Sequence, residues 1–360
     1  MFPTLRMPVT IRHLLAGLCI AAPLAAQTLT VGSTDAVAGR TVFGRLDVPA
    51  GVDAATFMPF AIIRGAKSGR TVAILSGAHG TEYASIVAAQ RVIPRIDPAS
   101  LSGTVIVVPL INRASFEQMR VHVNPVDEKS MNGNYPGKST GTQTERALDL
   151  IAREVIRKAD VVVDLHNGDI DENLRPYSYW MRSGKAAADS ASLALAKAMG
   201  LDHIIVRDVD LGNAASTRSA SGYAQSLGKV VVVAEAGRWA RTDAGDVQAL
   251  EDGLLNVLAS LGMLSRARPA SVPITWLGED ARVRADSNVM WVATVDRDTH
   301  VKSGQVVGYT TDYWGRKIGD VTSPKDGLVS FIRSVPSAWT GATLVTVTDI
   351  LVGPGAWKKP

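Results

Sequence analysis

Apolar residues arrive along the chain in two rhythms, and the points where one gives way to the other mark the predicted elements. From residue 29 to about residue 70, short β-like stretches such as Thr41-Val42-Phe43 and Phe60-Ala61-Ile62-Ile63 are broken by glycine and proline. Residues 71–75 then read as a strand apolar on both faces, Ser76-Gly77-Ala78-His79-Gly80 as a glycine-rich turn, and residues 81–93, rich in Ala, Val and Gln, as a helix. A second buried strand follows at 103–110. Across 144–158 the residues Ala147, Leu148, Ile151, Ala152, Val155 and Ile156 fall at three-and-four spacing, which places them on one stripe of a helix. That helix leads into the apolar strand Asp160-Val161-Val162-Val163-Asp164-Leu165. A helix at 192–199, a short strand at 204–206, the strand 229–234 and a helix at 247–261 complete the series. Strands with no polar face, alternating with helices, predict an α/β fold with a mixed, largely parallel sheet covered by helices on both faces.

The rhythm changes after the basic, proline-ended stretch Ser265-Arg266-Ala267-Arg268-Pro269. Beyond it come short strands and turns, with Gly304, Gly308, Gly315, Gly319, Gly327 and Gly341 closely spaced, which predicts a small all-β domain. A length of 360 residues with 46% hydrophobic content fits two domains, expected at 27–264 and 265–360. The first 26 residues are set apart: Arg6 and Arg12 precede an apolar and small-residue run at 14–22, which ends in Pro23-Leu24-Ala25-Ala26. This is the pattern of a secretory signal peptide cut near Ala26, so the mature protein is expected to be exported, periplasmic or secreted. The run is too short to span a bilayer, which takes about 20 residues. Cys19, the only cysteine, lies in the leader, so any metal in the mature protein must be held by nitrogen and oxygen. Losing Arg6 and Arg12 lowers the net charge from +4 to +2, which offers nothing to a nucleic acid.

Polar residues that could do chemistry cluster at strand ends. His79 and Glu82 lie just past the first buried strand, His166 just past 161–165, and Glu235 just past 229–234. Open α/β sheets bind ligands in the crevice outside the carboxyl ends of their strands. His79 and Glu82, three apart where a turn becomes a helix, can reach one ion. Two imidazoles and a carboxylate are the ligand set of catalytic zinc, with a fourth position open to water whose pKa falls towards about 7. Glu235 is placed to take the proton and pass it to a leaving amine. Asp164, two residues before His166 on an extended strand, is a candidate acceptor for the other imidazole nitrogen. Singly, each feature is ordinary, since helix starts favour acidic residues and strand ends are polar; their meeting at three strand ends of one sheet is not. His13, His122, His203 and His300 show no such placement and are expected in surface or packing roles.

With these residues in view, the chain resembles the succinylglutamate desuccinylase and aspartoacylase family, relatives of the zinc carboxypeptidases. The matching stretches are Gly77-Ala78-His79-Gly80-Thr81-Glu82, Asn132-Gly133-Asn134-Tyr135-Pro136-Gly137, Asp164-Leu165-His166-Asn167-Gly168 and Ala234-Glu235-Ala236-Gly237, in the family's order. Residues 301–308 and 323–329 look like its C-terminal domain. The resemblance implies one zinc held by His79, Glu82 and His166, a catalytic Glu235, a polar clamp around Asn132, and an upstream arginine polarising the substrate carbonyl, for which Arg120 is the candidate. One departure stands out. Where the family has an arginine that grips a substrate carboxylate, this chain has Gly133. Either another arginine replaces it, with Arg175, Arg218 and Arg238 the candidates, or the substrate has no carboxylate at that spot. The expected activity is zinc-dependent hydrolysis of a small-molecule amide, as an N-acyl amino acid or acyl-amine deacylase. A carboxypeptidase acting on cell-wall peptides, an esterase and a non-catalytic zinc-binding protein are the alternatives.

Expression in a secreting host should yield a mature chain beginning near Gln27; an intact mass that retains Arg6 and Arg12 would refute the leader.

Overall fold

The computed structural model describes residues 1, 29–267 and 272–356. The predicted leader, with Cys19 and the expected cut near Ala26, lies outside the described residues, as does part of the basic linker. In chain order come β1 (Thr30–Val31), β2 (Thr34–Asp35), β3 (Arg40–Val48), β4 (Thr56–Arg64), β5 (Lys67–Leu75), α1 (Tyr83–Val92), β6 (Ser102–Val108), α2 (Arg113–Gln118), α3 (Gln143–Leu150), β7 (Val161–His166), β8 (Glu172–Leu174), β9 (Tyr177–Arg182), α4 (Ala186–Ala198), β10 (His203–Asp208), α5 (Ala220–Ser226), β11 (Val230–Glu235) and α6 (Ala244–Ser260). The C-terminal part adds β12 (Thr275–Arg284), β13 (Val289–Ala293), β14 (His300–Val301), β15 (Val306–Thr311), β16 (Lys317–Thr322), β17 (Gly327–Arg333), β18 (Ser337–Ala338) and β19 (Thr343–Leu351).

The strands read as apolar on both faces form the middle of the sheet. β6, β5, β7 and β11 lie side by side, all parallel. Their valines, isoleucines and leucines are almost wholly buried because helices cover both faces. Alternate residues serve alternate cores: Val161, Val163 and Leu165 pack under α1, α4 and α6, while Val162 packs under α3 and α5. The stripe predicted over 144–158 is kept, although the helix changes pitch on the way. A Thr142/Glu145 capping box starts α3, a π-helical turn follows at Ile151–Val155, and a 3₁₀ turn closes at Ile156–Lys158.

Strand β9 is absent from the sequence reading. Its Tyr177-Ser178-Tyr179-Trp180-Met181-Arg182 lacks the continuous Val/Ile run of its neighbours, yet it pairs antiparallel with β11 and reverses the direction of the sheet. β10 and β12 then continue parallel to β9. Strand β12 comes from beyond the linker and joins the central sheet directly, and β19 and β17 extend that sheet in antiparallel order. The rest of this all-β region closes around its own core, which includes Trp291, Val307, Val329 and Leu344. No helix among the described residues is long and apolar enough to cross a membrane.

Ile74, fully buried in β5 between two parallel neighbours, has no room to relax around a void. Ile74→Ala should lower the unfolding free energy by about 2–5 kcal/mol, read from a denaturant midpoint at unchanged slope.

Candidate active site

After β5 the chain turns sharply to bring His79 over the strand ends. Gly77 takes φ +64°, and a Cβ on Gly80 would lie 2.2 Å from the backbone nitrogen of Phe116. Only glycine allows that approach. Glu82 is the N-cap of α1, with its carbonyl already accepting from Ile86. β7 delivers His166 at its last position, paired in register with Glu235 at the last position of β11. Asp164 and His166, two apart, share the face that carries Glu235.

The donors converge. Glu82 Oε1 lies 2.6 Å from His79 Nδ1 and Glu82 Oε2 lies 2.9 Å from His166 Nδ1. One ligand atom from each of the three residues lies within 4.8 Å of the other two. His166 Nε2 faces Asp164 Oδ1 at 3.3 Å, which leaves Nδ1 for the convergence point. Two imidazole nitrogens and one carboxylate, with Glu82 and His166 buried and His79 partly so, suit zinc in donor type and number.

Electrostatics separate the two glutamates. Burial acts to raise Glu82, but the charges of His166 and His79 and the hydrogen bonds from both hold it well below the usual carboxylate range. Glu235 goes the other way, raised to about 8 by burial and by the neighbouring carboxylates of Glu82, Glu172 and Asp164, against the pull of His166. One carboxylate is thus poised to stay charged and the other to carry a proton.

These groups open onto a cavity of about 390 Å³. Asn132 lines it, while the neighbouring Gly133 adopts φ +95° with nothing within 4 Å of a Cβ position. Arg120 is not among the lining residues. It is half-exposed and pairs with Glu128 at 2.5 Å. The cause is local: Met119 and His122 both take positive φ, 52° and 64°, and the chain turns so that His122 faces inwards. His122 therefore corrects the sequence reading of a surface or packing role. Its ring stands edge-on to His79 at 5.9 Å, and its Nδ1 and Nε2 lie 3.4 Å and 3.2 Å from Asp169 and Asp171. Burial opposes its charge, yet Asp171, Glu172 and Asp169 together raise it to about 9. No strand-end position announces this histidine, because a loop delivers it.

Of the arginines named as substitutes for the one missing at Gly133, Arg175 and Arg238 are engaged elsewhere, whereas Arg218 lies beside that position through its backbone. Arg175 binds Asp202 and Asp298, Arg238 stacks on Trp239, and the Arg218 carbonyl accepts from the backbone nitrogens of Gly133 and Tyr135. The arginines on the cavity wall are instead Arg207 of β10 and Arg282 of β12, with Asp280 beside them. Tyr177 and Tyr179 line the stretch between Glu235 and this group.

Residues 68–261, more than half of the chain, match the succinylglutamate desuccinylase/aspartoacylase catalytic domain. The sequence is 25% identical to an N-alpha-acetyl-L-2,4-diaminobutyric acid deacetylase of Halomonas elongata, over 84% of this chain and 88% of that protein. The crystal structure of a succinylglutamate desuccinylase/aspartoacylase from Rhodobacter sphaeroides superposes with a TM-score of 0.78 at 22% identity, covering 90% of this chain and 100% of that one. The product-bound ectoine utilization protein EutE (DoeB) of Ruegeria pomeroyi gives 0.78 at 21% identity, covering 86% and 95%. At such identities these likenesses speak for the fold.

A histidine raised above 6.5 stabilises the fold fully below that pH and loses the contribution as pH rises through about 9. In metal-free protein the stability gap between wild type and His122→Gln, followed by urea unfolding, should therefore be larger at pH 6 than at pH 9.5. Equal gaps would deny the charged His122.

Proposed function

The chain belongs to the succinylglutamate desuccinylase/aspartoacylase family, and on that premise we propose that it is a zinc-dependent amide hydrolase removing the acyl group from an N-acylated amino acid or amine. The observation that carries this is the meeting of His79, Glu82 and His166 around one point, with Glu235 in register beside His166. The deacetylase name of the Halomonas elongata relative supports the reaction class. The leader-like residues 1–26 support an exported site of action.

His79, Glu82 and His166 would hold the zinc. When bound, it supplies Lewis acidity, which brings water closer to ionisation at neutral pH and polarises the acyl carbonyl. Glu235 takes a proton from the attacking water and hands it to the departing nitrogen. Without the metal that carboxyl is raised to about 8 and would hold a proton near neutrality, whereas bound zinc would favour its charged form, in which it can act as base. Part of the rise comes from the charge of Glu82, which is offset once Glu82 serves as a ligand. Asp164 holds the His166 ring so that Nδ1 faces the ion site. His122, edge-on to His79, is the cation available to the acyl oxygen as negative charge develops there. Asn132 offers its side-chain amide to the substrate from the cavity wall.

Purified protein should hold about one zinc per chain and cleave N-acyl amino acids or acyl amines in a chelator-sensitive way. Glu235→Gln should keep the metal and lose about 10²–10⁴-fold in kcat, whereas His79→Ala should lose both. Normal turnover in Glu235→Gln would remove that residue from the mechanism, and absence of zinc would sink the reading.

A further inference from the structure

We propose that the cavity holds its substrate at two places, the second being a carboxylate-binding subsite formed by Arg207 and Arg282 around Asp280. The substrate is then an acylated compound with a free carboxylate several bonds from the amide. This rests on the reading of His79, Glu82, His166 and Glu235 as the hydrolytic centre, and it names the substrate class of that centre.

One face of the sheet connects the two places. His166 and Glu235 are register partners, Glu235 pairs with Tyr177, and Tyr179 pairs in turn with Ile205 of β10. Arg207, two residues beyond Ile205, shares its face, and on β12 Asp280 and Arg282 share theirs. The strand of Arg207 is three positions from that of His166, roughly 14 Å at about 4.8 Å per strand. A ligand touching both ends must therefore be elongated.

Charge decides what the far end accepts. Asp280 Oδ2 lies 2.7 Å from Arg207 and 3.6 Å from Arg282, and its Oδ1 accepts from Thr348 at 3.1 Å. Two guanidinium groups share one carboxylate, which leaves a surplus positive charge. Arg282, half-exposed, has the looser of the two contacts, so its fork can turn to a ligand anion. Between the ends the wall is uncharged, with the hydroxyls of Tyr177 and Tyr179 3.4 Å apart. Near the hydrolytic centre Gly133 supplies no side chain at all. An arginine grip is offered from the far wall, half of it by the C-terminal region. That gives β12 a role in substrate choice.

Calorimetry on metal-free protein would compare 6-acetamidohexanoate with its neutral counterpart 6-acetamidohexanamide. The carboxylate should bind about ten-fold more tightly, the scale of a charge-assisted hydrogen bond, and Arg282→Gln should close the gap. In zinc-loaded protein the same substitution should raise KM for the carboxylate with little change in kcat. Equal binding of the pair by wild type, or a preference that survives both Arg282→Gln and Arg207→Gln, would overturn the subsite. Tighter binding of the cation 6-acetamidohexylamine would also overturn it, by making Asp280 the reader of the substrate. Because the calorimetry needs no turnover, a carboxylate preference in a protein that hydrolyses nothing would retain the subsite and reject the hydrolase.

Discussion

The site depends on the burial of one carboxylate. Glu82 is 3% exposed at the start of α1, where a lone charge would be costly to keep, and it stays ionised because two imidazoles meet its two oxygens. That requirement fixes the neighbourhood. β5 and β7 must lie side by side so that His79 and His166 reach the same group, and the turn between β5 and α1 must be tight enough to hold His79 over the strand ends. The apolar runs of the central strands serve this geometry, since their burial leaves the strand ends as the place where polar side chains can collect.

From that point the sheet distributes chemistry by parity. Residues facing α1, α4 and α6 make a dry core, while the opposite face of the same strands carries Asp164, His166 and Glu235 at their ends. β9 turns the sheet's direction and adds Tyr177 and Tyr179 to the wall, and β10 and β12 extend it to Arg207 and Arg282. The C-terminal region is therefore a wall of the cavity as well as an appendage with a core of its own.

The charges are graded along that wall. Burial and then the surrounding carboxylates raise Glu235, and Asp171, Glu172 and Asp169 raise His122 against its burial, so the altered acid strengths come from placement rather than from unusual residues. The far end carries the opposite excess. An elongated acylated anion would meet both in sequence.

Much of this was legible from the residues alone. Continuous Val and Ile runs admit only buried strands, and the polar residues ending those runs at His79, Glu82, His166 and Glu235 had to face the crevice, so local pattern was enough. Asp164 followed from the two-residue period of a strand. Tertiary structure alone decided the rest, because the deciding contacts join segments with no shared periodicity. The loop dihedrals at Met119 and His122 turned Arg120 out and His122 in. Strand β9, with no continuous Val/Ile run, found its place only against β11, and Arg207 met Asp280, 73 positions further along the chain. A hydrophobic pattern records which residues must leave water; it does not record which distant polar groups will be waiting for them.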